Sequence, residues 1–368
     1  MKSKTGKVII AGGGTGGHIF PAVAIANALK NIMPALEILF IGAKGKMEME
    51  KVPEAGYNIQ GIDMAGFNRS QMLKNISLPF KLIKSYFQVK EIFKKFPPDV
   101  VIGVGGYSTF PVLRYAQKED IPTYIHESNS FAGKSNILLG KKAVKVFVAT
   151  DGMEKFFPPE KIQITGNPVR KKIVENTVGK EEARNYFNLH ATKPTVLVVG
   201  GSLGAKSIND VIAFHLSDIS TLDVQLIWQT GKNNSQTYIS MAAFAKDNIY
   251  VSEFISEMEY AYAAADIVVA RAGAMTVSEL CVVKKPVIFV PYPYAAEDHQ
   301  TVNAMNLVNK KAAEIVPDSE VRTKLFSAIT DLLFNEEKKN TFIKNISALA
   351  TTNANEVIAS EIIKDIFK

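Results

Sequence analysis

The chain has 368 residues, 47% of them hydrophobic, and carries 43 Lys and Arg against 36 Asp and Glu for a net charge of +7. That length points to two or more domains of ordinary size, and the single cysteine, Cys281, excludes an internal disulfide and a cysteine-built zinc cage. The polar start and the lack of any run near the roughly 18 apolar residues of a spanning helix point to a soluble or peripheral protein in a reducing compartment.

Charge is unevenly shared. Residues 1–169 hold 22 Lys and Arg against 13 Asp and Glu, whereas residues 170–368 hold 21 against 23. The whole positive excess lies in the first half, which suggests an anionic surface facing one domain only.

Lys7–Ala11 is a short β-branched run that reads as a buried parallel strand. Gly12-Gly13-Gly14-Thr15-Gly16-Gly17 follows directly, and after Pro21 the spacing of Ala22, Ile25, Ala26 and Leu29 predicts a helix over Ala22–Lys30. A strand, a glycine loop and a helix N-terminus together favour an anionic or electron-rich ligand. His18 stands on the rim of that loop. A dinucleotide site would also need an acid at the end of the second strand. That strand, Ile38–Ile41, runs into Gly42-Ala43-Lys44, so nicotinamide or flavin dinucleotides are disfavoured.

Arg69–Phe96 has seven basic residues and one acid, interleaved with apolar ones. Ser85–Phe96 reads as a crossover helix with a solvated lysine face. For Met72–Lys84 two readings stand, such a helix or an interfacial membrane patch. Nucleic acid has no further support. Pro98–Val104 and Pro122–His126 are further strands, followed by Gly105-Gly106-Tyr107-Ser108 and by Glu127-Ser128-Asn129. Polar residues there fall at the carboxyl edge of a parallel sheet, where such sheets bind ligands. Val144–Thr150 reads as the last strand of this half, and Gly166–Arg170 as the domain boundary after the strand Ile162–Thr165.

The second half restarts the pattern. Thr195–Val199, the loop Gly200–Ala205 and a helix from about Ser207 repeat Lys7–Leu29. Asp99–Ala116 parallels Asp266–Cys281, and Pro122–His126 parallels Pro286–Pro291. The expected architecture is therefore α/β, two Rossmann-like doubly wound domains facing across a cleft. The expected domains are residues 1–169, facing an anionic or membrane surface, and residues 170–349, binding a nucleotide. The tail 350–368, with an amphipathic helix over Glu356–Phe367, packs back on the first. Ser202 stands in the second glycine loop, and Glu279 lies about one turn into a helix opened by Gly273, where a carboxylate can accept both hydroxyls of a ribose.

Seven blocks, GGGTGGHIFP, GVGGYSTFP, HESN, GNPVR, GGSLGA, EFI and RAGAMTVSEL, stand in this order and closely resemble the bacterial MurG family over Lys7 to about Ala313. That resemblance implies the two-domain GT-B glycosyltransferase fold with no metal or cofactor. It also implies transfer of N-acetylglucosamine from UDP-GlcNAc to undecaprenyl-pyrophosphoryl-MurNAc-pentapeptide. Attachment to an anionic membrane surface at the cytoplasmic face of the plasma (inner) membrane follows from it too, with no nucleic-acid partner.

Carried over by position, it places Thr15, Gly16, Gly17 and Asn129 on the donor sugar and acceptor, and Arg170 and Ser202 on the diphosphate. It places Ile255 on the uracil through its backbone, Ala274, Met275, Thr276, Val277 and Ser278 around the phosphate and ribose, Glu279 on the ribose, and Gln300 on the ribose or sugar. Met275 stands where Leu is expected, and His299-Gln300 stands where some relatives have two glutamines, so either side chain can make the donor contact. An inverting displacement needs a general base and a stabilised leaving group. His18 is the candidate base, because imidazole titrates near neutral pH, and Glu127 is the rival. A nucleotide-sugar epimerase of the same fold and a non-enzymatic nucleotide-sugar sensor at the membrane are the alternatives.

Overall fold

The computed structural model describes residues 6–64, 78–243 and 248–367, with backbone alone over 78–81. The chain divides into two compact units, one made of the residues up to Arg170 plus those from Thr352 onward, the other of Lys171–Thr351.

In the first unit the strands are β1 (Lys7–Ala11), β2 (Glu37–Ala43), β3 (Asn58–Ile62), β4 (Val100–Gly103), β5 (Thr123–Glu127), β6 (Lys145–Val148) and β7 (Ile162–Ile164). They form one sheet in the order β3-β2-β1-β4-β5-β6-β7, and every pairing is parallel. The order reverses between β1 and β4, which makes their carboxyl ends the switch point where such sheets hold ligands.

Strand β1 shows why the sheet is covered on both faces. Val8 and Ile10 pack with Ile25 and Leu29 of the helix Gly16–Ile32 and with Ile358 and Ile362 of the C-terminal helix Ala354–Ile366. Ile9 and Ala11 pack the other way, with Val89 and Phe93 of the helix Leu78–Lys95 and with Val112 and Leu113 of the helix Thr109–Lys118. A period of two, apolar on both phases, marks a strand buried on both faces. The C-terminal helix is tied down by Lys145, which reaches Glu361 at 2.6 Å and Asp365 at 3.0 Å, and by the Tyr124 hydroxyl, which donates to Asp365 at 3.1 Å.

The second unit holds β8 (Thr195–Val199), β9 (Gln225–Gln229), β10 (Ile249–Ser252), β11 (Ile267–Ala270), β12 (Val287–Phe289) and β13 (Glu314–Ile315). Their order is β10-β9-β8-β11-β12-β13, again parallel throughout. The two units are thus two α/β doubly wound domains of the same winding. On one face Val196 and Val198 pack with Ile208 and Ile212 of the helix Lys206–Phe214 and with Leu325 of the helix Val321–Phe334.

Two expectations are corrected. Strand β6 is not the last of the first half, because β7 pairs beside it at the sheet edge. The first helix begins at Gly16, not at Ala22. Its first bonds run from His18 and Ile19 N–H to the Thr15 carbonyl, so the helix is already nucleated when Pro21 arrives and forfeits one bond. No helix among the described residues is long and apolar enough to cross a membrane.

Candidate functional site

In the first unit the glycine loop leaves β1 at the switch point and is held from both sides. Gly12 N–H donates to Ile41 O at 3.3 Å, and Gly13 N–H to Gly105 O at 3.1 Å. Thr15, in extended backbone, caps the helix, and its hydroxyl lies 3.5 Å from His18 Nδ1. His18 Nδ1 lies 3.1 Å from the Gly13 carbonyl. A carbonyl only accepts, so that bond places the proton on Nδ1 and the basic lone pair on Nε2. The ring rests on Gly105, where a Cβ would stand 2.7 Å from Cδ2 and 2.8 Å from Nε2. Only glycine gives the imidazole that seat, at a φ of +94°.

Glu127, at the end of β5, behaves differently from His18. Its carboxylate accepts from Asn129 N–H at 3.1 Å, Asn129 Nδ2 at 3.3 Å, Gly133 N–H at 3.2 Å and Asn136 Nδ2 at 2.8 Å. Four donors match the acceptor capacity of a carboxylate, so Glu127 organises its own loop, Asn129 included. Beside it His126 is fully buried, and burial pushes its imidazole down to about 4, which keeps it neutral. Asn167 Nδ2 donates to Ser128 O at 3.0 Å and fastens the end of the domain to this turn. Arg170 places its guanidinium 5.6 Å above the Phe20 ring of the first helix.

The second unit repeats the loop with different partners. Gly204 N–H donates to Gly201 O at 3.0 Å, and the exposed Ser202 accepts Lys232 N–H at its carbonyl at 3.0 Å. The helix Lys206–Phe214 opens behind the loop at Ala205. Gln229, at the end of β9, bridges two expected contact points: its Nε2 donates to Gly201 O at 3.2 Å, and its Oε1 accepts Ile255 N–H at 3.0 Å.

The helix Ala274–Val283 starts after an extended Gly273, with Ala274, Met275, Thr276, Val277 and Ser278 half-buried in its first turns. Ser278 Oγ donates back to Ala274 O at 3.1 Å. Glu279 is buried, and its Oε2 accepts from the equally buried Tyr262 hydroxyl at 3.1 Å. Gln300 Oε1 accepts Tyr292 N–H at 2.9 Å, and His299 Nδ1 donates to Ala296 O at 2.7 Å. Both side chains therefore shape the loop from Pro291 to Asp298.

Four residues with such roles went unmarked in the sequence: Glu48, Gln229, Tyr262 and Arg271. Arg271 donates from Nη1 to Val290 O at 3.0 Å, Pro291 O at 3.0 Å and Asp318 Oδ1 at 2.6 Å, and from Nη2 to Ser207 Oγ at 3.2 Å. It ties the end of β11 to the Pro291 loop and to the helix behind the second glycine loop. Glu48 carried one available signal, an acid five residues after the end of β2.

Residues 8–148 match the glycosyltransferase family 28 N-terminal domain, and residues 195–361 match the glycosyltransferase family 28 C-terminal domain. A Bacteroides fragilis protein is 49% identical over 361 residues, covering 97% of this chain and 95% of its own length. It is named UDP-N-acetylglucosamine--N-acetylmuramyl-(pentapeptide) pyrophosphoryl-undecaprenol N-acetylglucosamine transferase. The crystal structure of Acinetobacter baumannii MurG is similar with a TM-score of 0.75 at 30% identity, over 98% of this chain and 99% of that one. A Neisseria meningitidis UDP-GlcNAc 2-epimerase bound to UDP-GlcNAc shares the fold alone, with a TM-score of 0.67 at 15% identity over 97% of this chain and 100% of that one.

Proposed function

This chain belongs to the MurG family within glycosyltransferase family 28, and on that premise we propose how its two units divide one reaction. The enzyme transfers N-acetylglucosamine from UDP-N-acetylglucosamine to the muramyl C4 hydroxyl of the undecaprenyl-pyrophosphoryl pentapeptide, in peptidoglycan synthesis. It is a hexosyltransferase, and the epimerase and sensor readings are not favoured.

The second unit takes the donor. Backbone N–H groups of the Ser202 loop and the helix behind it face the diphosphate. The Ile255 carbonyl meets the uracil, since its N–H is already given to Gln229. Ala274, Met275, Thr276, Val277 and Ser278 line the phosphate and ribose, and Glu279 accepts both ribose hydroxyls. Gln300 reaches the donor with its NH₂ end, because its oxygen holds Tyr292. The observation that carries this half is the buried Glu279 carboxylate, aimed by the Tyr262 hydroxyl at 3.1 Å.

The first unit takes the acceptor. Thr15, Gly16, Gly17 and Asn129 surround the muramyl sugar, and Arg170 spreads the charge of the departing diphosphate. His18 Nε2 removes the C4 hydroxyl proton as that oxygen bonds to the anomeric carbon and the bond to UDP breaks. Glu127 positions Asn129 and is not the base, for its carboxylate is already surrounded by donors.

The same unit docks on the cytoplasmic face of the plasma membrane. Ile83 and Phe87, one turn apart on the helix Leu78–Lys95, are each 59% exposed and lie among lysines. Of the basic–apolar stretch Met72–Lys84, residues 72–77 lie outside the described residues. The test is UDP release from UDP-N-acetylglucosamine with and without the lipid acceptor, with mass analysis of the products. Release only with acceptor is the expected result. Isomerised sugar without acceptor, or no turnover with it, refutes transfer.

A further inference from the structure

Glu48 is 1% exposed, yet it belongs to a short surface helix, Glu48–Glu54, after β2. Burying a carboxylate is costly unless its oxygens find donors. Its Oε2 accepts Gly14 N–H at 2.7 Å and its Oε1 accepts Ala43 N–H at 2.9 Å. Two glycines make the room: a Cβ on Gly13 would stand 2.3 Å from Glu48 Cδ, and one on Gly42 would stand 2.5 Å from Cγ.

The Gly14 N–H belongs to the same peptide group as the Gly13 carbonyl, and that carbonyl holds His18 Nδ1 at 3.1 Å. In a planar trans peptide the N–H and C=O point in opposite directions. Carboxylate, peptide and imidazole thus form one line of two hydrogen bonds. The first is short and charge-assisted, and hydrogen bonds in series polarise one another. The arrangement has the logic of an acid that orients a catalytic imidazole, with one peptide group set between them.

We propose that Glu48 is a positioning residue for His18, which fixes the Nδ1–H tautomer and raises the basicity of Nε2 through the Gly13–Gly14 peptide. This rests on the reading of His18 as the base. Other groups stand near the imidazole. His126 on β5 lies within electrostatic reach and is neutral, and the Thr15 hydroxyl is 3.5 Å from Nδ1. The Tyr107 ring flanks the loop, about 4.0 Å from where a Cβ on Gly14 would lie, and Arg170 sits over Phe20 on the same helix. Glu48 is the carboxylate joined to His18 by this hydrogen-bonded line.

Glu48→Gln removes the charge, keeps the shape and keeps one acceptor oxygen. The acid limb of kcat/KM is expected to move down by roughly half a pH unit, the size of losing one charge at this separation in partly screened surroundings. The same variant should lose about tenfold in kcat, with KM for UDP-N-acetylglucosamine within twofold. NMR titration of the His18 ring nitrogens, assigned against His18→Ala, should show the same downward move and a smaller Nδ1–H population. In the wild type the Gly14 amide proton should titrate with the His18 midpoint, a measurement that needs no folded variant. A Glu48→Gln enzyme with an unmoved His18 midpoint, or a Gly14 amide silent through that titration, overturns the proposal. His18→Ala with near-normal kcat refutes the base reading alone, since the NMR titration still reports the coupling.

Discussion

Tyr262→Phe tests the ribose assignment from behind the site. The hydroxyl donates to Glu279 Oε2 at 3.1 Å, and both side chains are buried, Tyr262 at 1% exposure and Glu279 at 6%. Phenylalanine keeps the ring and its packing and removes only the donor. A hydrogen bond to a charged group contributes about 1.5–3 kcal/mol. Part of that is recovered when the carboxylate turns toward water, so about 1.4 kcal/mol is expected to reach the donor, a factor of ten in affinity.

The ribose is remote from the reacting bond, so ground state and transition state lose equally. KM for UDP-N-acetylglucosamine should therefore rise about tenfold, with kcat within twofold. Initial-rate kinetics and calorimetric titration of UDP both read this. The double variant with Glu279→Gln should be less than additive, because the hydroxyl acts through the carboxylate. Glu279→Gln with wild-type KM would refute the ribose assignment. A Tyr262→Phe enzyme with unchanged KM beside an impaired Glu279→Gln would refute the orienting role of the hydroxyl.

Three further outcomes follow from the geometry. His126 is pushed from 6.5 to about 4 by burial, so the unfolded chain binds the extra proton and stability must fall with pH between those values. About 2 kcal/mol is lost by pH 5 relative to pH 7, read as a drop in urea midpoint that His126→Asn removes. Arg271→Lys cannot reproduce four donations from one planar fork, and it should lower the unfolding free energy by about 3 kcal/mol, read as a lower urea midpoint at constant m, while raising KM for the donor; a wild-type midpoint would count against the network. Ile83→Glu with Phe87→Glu should cut sedimentation with phosphatidylglycerol vesicles about tenfold or more, from about 1 kcal/mol or more of lost apolar transfer at each position; unchanged sedimentation would refute docking through this helix.

The central strands were legible because burial on both faces demands unbroken apolar runs. KVIIA, VVIG, TVLVV and IVVA each announce a strand without reference to partners. NIQGI and QLIWQ do not, since their polar residues are settled by what they meet in the fold. Gln225, at the start of β9, is buried because its amide holds His190 and the Thr195 hydroxyl. The glycine loops and the Glu279 turn were legible as local grammar, since their sense lies within about ten residues. Glu48, Gln229, Tyr262 and Arg271 were not, because each acts on a segment 17 or more residues away that only the closed sheets bring near.

The two glycine loops share strand, turn and helix, yet only one is proposed to hold a nucleotide diphosphate, and the neighbouring strand supplies the reason. In the first unit three loop amides are spent inside the domain: Gly12 on Ile41, Gly13 on Gly105, and Gly14 on the Glu48 carboxylate. A phosphate brought there would meet a buried negative charge already seated on the amide it needs. In the second unit the equivalent neighbour is β9, paired with β8 as β2 is with β1. What reaches the loop from β9 is Gln229, a neutral amide that donates to the Gly201 carbonyl and brings no charge. On the proposed reading, the same fold element takes the donor diphosphate in the unit whose adjacent strand ends in an amide, and not in the unit whose adjacent strand leads to a carboxylate. An acid does stand close to the end of β2, four residues past Lys44: it is Glu48, and its carboxylate holds the Gly14 amide of the loop.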